Sequence, residues 1–140
     1  MKGIVLISHG ELAKGMAHSA TFFMGDSIQQ LEYCCLEQDT SPDKYAEELA
    51  GAIERADSGE GVVILADLFG GTPCNRAAMG LNDRTELIAG MNFPLLLELL
   101  TARMGAAVDT AALAESGRSA ICDVKALLAT QTSDDEDDVS

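Results

Sequence analysis

The chain alternates short apolar runs with longer segments of helical pattern. The plainest apolar run, Gly61–Ala66, contains no charged or hydrogen-bonding side chain. A strand without polar alternation is expected where helices cover both faces of a sheet. The predicted strands are Gly3–Ile7, Gln30–Leu36, Gly61–Ala66 and Glu86–Ala89.

Helix-start signals mark the segments between these strands. Ser41-Pro42 and Thr72-Pro73 each place a capping residue before a proline, which favours the first turn of a helix. In the first helix, the apolar spacing predicts a buried face of Leu12, Met16, Ala20 and Phe23. The predicted helices are Glu11–Met24, Pro42–Ala56, Thr72–Leu81, Leu95–Arg103 and a remainder, Ala106–Ala129, with an expected break at Ser116-Gly117.

This order of elements predicts an α/β fold of the doubly wound class. Strands that alternate with helices form a mainly parallel sheet, here of four strands, with helices on both faces. The strand order 2-1-3-4 would make the first and third strands neighbours. In such sheets, ligands bind beyond the carboxyl ends of the strands, where the strand order reverses.

Two polar residues follow the first and third predicted strands. His9 and Asp67 are 58 positions apart in the chain, but strand order 2-1-3-4 would place them side by side. Two helix starts, after Gly10 and at Thr72, would point toward the same place. Because helix N-termini attract anions, this arrangement predicts a phosphate site.

The chemistry that these residues predict is phosphoryl transfer. A neutral imidazole attacks phosphorus with its unprotonated ring nitrogen, and a carboxylate on the other nitrogen fixes the tautomer. Asp67 is suited to that orienting role. Thr72 offers a hydroxyl, and with Gly70 and Gly71 it offers backbone amides that approach phosphate oxygens closely. His18, in the middle of a predicted helix, has no such partner and is interpreted as structural or solvated.

Length and charge limit the classes of function. The 140 residues predict one domain, 1–130, followed by an acidic, disordered tail, 131–140. The formal net charge of −14 argues against nucleic acid as a partner, since nucleic-acid binding needs a basic face. No apolar run has the length of a signal peptide or a membrane span, so we expect a cytoplasmic protein.

Several other sites and families are excluded by their motifs. The four cysteines have no Cys-x-x-Cys spacing, so we expect reduced thiols and no metal site. No Gly-x-x-x-x-Gly-Lys-Ser/Thr motif is present, which excludes a P-loop. The HGE sequence at His9 is similar to the RHGE of histidine phosphatases, but Ser8 occupies the position of the phosphate-clamping arginine.

Nearly the whole chain, up to about Thr130, resembles one family. It is similar to the IIA component of the mannose-type sugar phosphotransferase system of bacteria. Three motifs carry the resemblance, in order and at the expected spacing: GIVLISHGELAKGM with His9, VVILADLFGGTPCNRAA with Asp67 and Thr72, and LIAGMNFPLLLELL with Asn92 and Pro94.

The resemblance implies a phosphotransferase component that works through a phosphohistidine. Phospho-HPr would phosphorylate His9 on Nε2, Asp67 would hold the other ring nitrogen, and a IIB component on a separate chain would receive the phosphoryl group. IIB would then phosphorylate a sugar that enters through the membrane subunits IIC and IID. The resemblance also implies the 2-1-3-4 fold and a homodimer, and it requires no cofactor. Gly10, Gly70, Gly71 and Thr72 are the expected phosphate-binding residues.

Two alternatives and one docking surface complete the sequence-based expectations. A related branch of this family serves dihydroxyacetone kinase. The same residues would also serve a regulatory binding module, in which a regulator reads the phosphorylation state of His9. The apolar residues Leu68 and Phe69 directly follow Asp67 on a predicted loop. We expect them to line a surface that meets HPr and IIB. The alternative for Phe69 is burial under the helix that begins at Thr72.

Overall fold

The computed structural model describes residues 1–105 and 107–139, and for 132–139 it describes the course of the backbone alone. Four strands alternate with helices and form one sheet. The elements are β1 Gly3–His9, α1 Leu12–Met24, β2 Leu31–Leu36, α2 Pro42–Ala56, β3 Val62–Ala66, α3 Gly71–Met79, β4 Thr85–Ala89, α4 Phe93–Ala102, α5 Thr110–Ser119 and α6 Val124–Val139.

The sheet has the predicted topology. Its strand order is β2-β1-β3-β4, and each adjacent pair is parallel. One apolar cluster lies between the sheet and α1, α4 and α5, and a second lies between the sheet and α2 and α3. The central strands β1 and β3 are therefore covered on both faces, which explains why their sequences show no polar alternation.

The buried face of α1 agrees with the prediction at Met16 and Ala20 and differs from it at Leu12 and Phe23. Ala13, Met16 and Ala20 are buried, whereas Leu12 is 52% exposed and Phe23 is 68% exposed. The helix is thus rotated so that small side chains meet the sheet. Phe23 instead packs edge-on against Phe93, with 5.8 Å between the ring centroids.

The C-terminal part of the chain differs from prediction in the position of the helix break. The break follows Ser119 and α6 begins at Val124, so Ser116-Gly117 lies inside α5. Gly117 is buried there, and a β-carbon on it would lie 3.4 Å from Cβ of Leu95. Gly117 therefore packs against α4, and its carbonyl oxygen accepts from the Asn92 side chain at 2.9 Å, so it lies within the helix instead of ending it.

The predicted acidic tail overlaps α6. The backbone of 131–139 continues α6, while Ser140, like Ala106 of the predicted remainder, lies outside the described residues. The division into a domain and a disordered tail therefore stays a prediction. Among residues 1–105 and 107–139, no helix combines the length and apolar character that a membrane crossing requires.

Two buried polar side chains fix opposite ends of the sheet in the described part of the chain, Ser8 and Arg103. The Arg103 guanidinium donates hydrogen bonds to the carbonyl oxygens of Lys2, Gln29 and Gln30, at 2.6 to 3.1 Å. Burial lowers the pKa of Arg103 from its ordinary value. Its hydrogen bonds hold the segments that enter β1 and β2, at the end of the sheet opposite His9.

Candidate phosphoryl-transfer site

His9 and Asp67 lie side by side at the carboxyl ends of β1 and β3. Ile7 pairs with Ala66 in the parallel ladder, and the Asp67 amide donates to the Ile7 carbonyl oxygen at 3.0 Å. His9 is the last residue of β1, two residues longer than the predicted strand. The parallel register therefore brings together two side chains that are 58 positions apart.

A single carboxylate oxygen holds His9 twice. Oδ2 of Asp67 accepts from the His9 main-chain nitrogen at 3.0 Å and from ring Nδ1 at 2.9 Å. Because a carboxylate oxygen is an acceptor, Nδ1 must carry the ring proton. In the neutral ring, Nε2 then presents its lone pair, which is the state that attack on phosphorus requires.

The two side chains differ in exposure in a way that suits these roles. The Asp67 side chain is 9% exposed, and its second oxygen, Oδ1, accepts from the Leu68 amide at 3.0 Å. The His9 side chain is 45% exposed. The carboxylate is therefore fixed by the surrounding turn, while the ring remains within reach of another molecule.

Gly71 borders the free edge of the imidazole. A β-carbon on Gly71 would lie 2.9 Å from Nε2 and 2.7 Å from Cε1 of His9, too close for any side chain. The residue also has φ of +76°, in the region that favours glycine. Gly71 is the first residue of α3, so the positive end of this helix adjoins Nε2.

The start of α3 leaves backbone donors available to an anion. The first amides of a helix have no partner inside it, and Pro73 has no amide to offer. Gly71 thus supplies an amide next to His9, and the Thr72 amide follows it in the same helical turn. Thr72 is half-buried, and no hydrogen bond of its hydroxyl occurs among the described residues. Its contact with phosphate stays a prediction.

Gly10 and Gly70 serve the turns on which the site is built. Gly10 has φ of +59°, and its amide donates to the Leu36 carbonyl oxygen at 2.7 Å. That amide is already engaged, so the geometry favours a conformational role for Gly10 over the expected phosphate contact. Gly70 has φ of +93° and precedes α3 as its cap, with open space where a side chain would stand.

Two apolar side chains stand beside the site. Phe69 is 89% exposed and Leu68 is 47% exposed, on the turn between Asp67 and α3. Phe69 therefore does not fold under α3. A role in docking stays a prediction.

His18, the second histidine, lies exposed on α1, with its ring edge-on to Phe22 at 5.9 Å between centroids.

The sequence patterns did not reveal an open cleft beside His9. It has a volume of about 400 Å³ and lies between the end of β1 and the loop that joins β2 to α2. The Glu37 carboxylate on its border disfavours a free anion and favours a basic partner surface. The residues that line it with His9 are Gly10, Leu36, Glu37, Gln38 and Thr40.

Tyr45 was not predicted as part of the site, and it stabilises the strands next to His9. Tyr45 on α2 is wholly buried, and its hydroxyl donates to the Cys34 carbonyl oxygen at 2.7 Å. Burial raises the pKa of this hydroxyl, which therefore remains neutral. The bond ties α2 to β2 next to the strand that carries His9. A tyrosine on an apolar helix face is an ordinary core feature, so its sequence gave no distinguishing signal.

Similarity to known proteins extends over most of the chain. The EIIA-man family model, described as PTS system fructose IIA component, matches residues 3–115. The PTS system mannose-specific EIIAB component of Escherichia coli K12 is 33% identical over 105 residues, which cover 71% of this chain and 31% of that protein. The chain thus spans about a third of that relative. The PTS system fructose-specific EIIA component of Bacillus subtilis is 30% identical over 118 residues, covering 74% and 71%.

Solved structures of related proteins have the same fold. The PTS IIA protein associated with the fucose utilization operon of Streptococcus pneumoniae has a TM-score of 0.82 at 26% identity, over 91% of this chain and 96% of that one. The mannose/sorbose specific IIA subunit of Enterococcus faecalis has a TM-score of 0.73 at 27% identity, over 88% and 95%. This chain therefore belongs to the mannose family of EIIA components of the phosphotransferase system.

Proposed function

We propose that the chain accepts a phosphoryl group from phospho-HPr on Nε2 of His9 and passes it to a IIB component. The observation that carries this proposal is the double hold of Asp67 on His9. It fixes both the backbone position and the ring orientation of the histidine. An exposed histidine without such a hold would sample both tautomers and many ring orientations.

The transfer step follows from this geometry. The lone pair of Nε2 forms a bond to phosphorus while the bond from phosphorus to the donor atom of HPr breaks, and that electron pair leaves with the donor. Positive charge develops on the ring, and Asp67 stabilises it through Nδ1–H. The amides of Gly71 and Thr72, with the Thr72 hydroxyl, bind the phosphoryl oxygens. Reversal of the same step onto IIB completes the relay.

The docking surface for both partners is proposed to surround His9. Leu68 and Phe69 would supply apolar contact, and the acidic border at Glu37 would favour basic partners. Delivery to the sugar would take place downstream of this chain, on IIB and the membrane subunits IIC and IID. A homodimer would have to leave both His9 sites open to these partners.

The test is transfer of labelled phosphate. The protein is incubated with phospho-HPr carrying ³²P, and the acid-labile label is mapped. We expect label on His9 alone, complete loss in His9→Ala and normal labelling in the matched control His18→Ala. Label on His18, or undiminished label in His9→Ala, contradicts the proposal.

A second step separates the carrier from its alternatives. Labelled protein is mixed with a IIB component of the mannose family and, in a parallel reaction, with a dihydroxyacetone kinase. Loss of label to IIB supports the sugar-transport relay. Loss to the kinase alone would assign the chain to the kinase branch, and retention of label with both would favour a regulatory module.

A further inference from the structure

Ser8 is a buried polar residue next to His9 whose hydroxyl makes two hydrogen bonds. Its side chain is 0% exposed. Oγ accepts from the Ala13 amide at 2.8 Å and donates to the Gly10 carbonyl oxygen at 2.9 Å. Donor and acceptor capacity are thus both used, on either side of the turn that follows His9.

The first of these bonds replaces a missing helix cap. Glu11 occupies the N-cap position of α1 and makes no side-chain hydrogen bond there. An unpartnered amide in the first turn, that of Ala13, is bound instead by Ser8, five residues earlier. Ser8, near the end of strand β1, is therefore bonded directly to the first turn of α1.

The second bond completes the fixation of the backbone around His9. The His9 amide donates to Asp67, the Gly10 amide donates to Leu36, and the Gly10 carbonyl oxygen accepts from Ser8. These bonds hold Gly10 at φ of +59°, where an added β-carbon would have no atom within 4 Å. Without the hydroxyl, the peptide group between Gly10 and Glu11 loses this partner, and the turn after His9 is held by the Gly10–Leu36 bond without its second support.

We infer that Ser8 is a positioning residue, whose hydroxyl aligns the His9 ring with Asp67 and so maintains the Nδ1–H tautomer. The consequence for phosphoryl transfer rests on the proposed function. The alignment itself is a property of the unphosphorylated protein. A misplacement of the ring by a fraction of an ångström weakens a 2.9 Å hydrogen bond and turns Nε2 away from the donor.

The primary test is ¹⁵N NMR of the His9 ring in the unphosphorylated protein, with His9 assigned by comparison with His9→Ala. In the native protein we expect one tautomer, with well-separated Nδ1 and Nε2 shifts. In Ser8→Ala the two shifts should move toward each other as the tautomers mix. Ser8→Thr keeps the hydroxyl and should retain the native pattern. Ser8→Cys fills the same space with a weak hydrogen-bonding group and should resemble Ser8→Ala.

The matched control is Asp109→Ala. Asp109 caps α5 through the amides of Ala111 and Ala112 and adjoins Val108, which lines a cleft with Met1 and Lys2 at the opposite end of the sheet. This variant loses a helix cap, as Ser8→Ala does, but should leave the His9 spectrum native. A general loss of stability therefore cannot account for a change seen in the Ser8 variants alone.

Kinetics supply the second readout. Ser8→Ala and Ser8→Cys should lower kcat for transfer from phospho-HPr about tenfold with KM unchanged, since docking residues are untouched. Native shifts and native kcat in both variants would overturn the inference. Phospho-HPr could also fail to label even the native chain, while Ser8→Ala and Ser8→Cys still alter the His9 shifts. That result would contradict the proposed function and support the positioning role of Ser8.

Discussion

Gly71 and His9 are packed so closely that a β-carbon on the glycine would lie 2.9 Å from the ring nitrogen Nε2. Gly71→Ala should therefore displace the ring or block its free edge, and we expect labelling by phospho-HPr to fall at least a hundredfold. The measurement is the initial rate of ³²P transfer.

Gly70→Ala is the control for backbone strain. Gly70 also has positive φ, but no atom lies within 4 Å of the place where its β-carbon would stand. The two variants should lose similar stability, about 1 kcal/mol, because both force alanine into a conformation that favours glycine. Equal transfer rates in both would contradict the steric role of Gly71.

Asp67→Asn should slow transfer by orders of magnitude. The amide replaces one acceptor oxygen with an NH₂ donor and removes the charge that stabilises the ring cation. An NH₂ group facing Nδ1 would favour the tautomer in which Nε2 carries the proton and cannot attack. HPr binding, measured by calorimetry, should change little. A native rate in this variant would reduce Asp67 to a turn residue.

Thr72→Ala should cause a moderate loss of transfer. The helix-start amide remains, and one hydrogen bond to a charged oxygen is removed, worth about 1–2 kcal/mol, or roughly tenfold in rate. Thr72→Val keeps the shape without the hydroxyl and should behave alike, whereas Thr72→Ser should retain the native rate. Full activity of the alanine and valine variants would leave the amides as the sole phosphate contacts.

Phe69→Ser should raise KM for phospho-HPr while leaving the melting temperature unchanged. The side chain is 89% exposed, so its removal costs contact with a partner and not packing within the protein. Phe22→Ser is the matched control, because Phe22 is also 80% exposed but lies toward the far end of α1. A similar KM in all three proteins would end the docking claim for Phe69.

Asp57 should make stability depend on pH in acid. Hydrogen bonds from the Gly59 amide, the Arg84 guanidinium and the Gly61 amide lower its pKa from 3.8 to about 2. A carboxylate with a lowered pKa stabilises the folded state above the unfolded pKa, and this contribution is lost as the pH falls through the folded pKa. The stability difference between native protein and Asp57→Asn should be constant above about pH 5 and should shrink toward pH 2. Urea unfolding at several pH values measures it, and a constant difference down to pH 2 would contradict the assignment.

The pairing of His9 with Asp67 was predictable because two general rules decide it. Alternating strands and helices imply a parallel sheet, and strands of such a sheet end at one edge. The apolar runs Ile4–Ile7 and Val62–Ala66 are unbroken, so the ends of both strands were located to within two residues.

Other features depend on packing that sequence spacing does not encode. On α1, burial of Met16 and Ala20 was predicted correctly, but Leu12 and Phe23 were wrongly predicted to be buried because they are large and apolar, whereas Ala13 meets the sheet in their place. Ser8 was not predicted as part of the site, since its bond to Ala13 exists only once the strand and the helix have met. The sequence signal for Ser8 would have been a hydroxyl residue at the end of a strand, followed by a helix whose N-cap residue makes no capping hydrogen bond.

The long separation between His9 and Asp67 makes the proposed phosphoryl acceptor conditional on completed folding. A nascent chain still emerging from the ribosome exposes the histidine well before β3 is available to deliver the carboxylate. Partially folded copies would therefore accept no phosphoryl group and would not divert phosphate from fully folded molecules. Labelling of His9 would consequently report the integrity of the central strand pair in every copy of the protein.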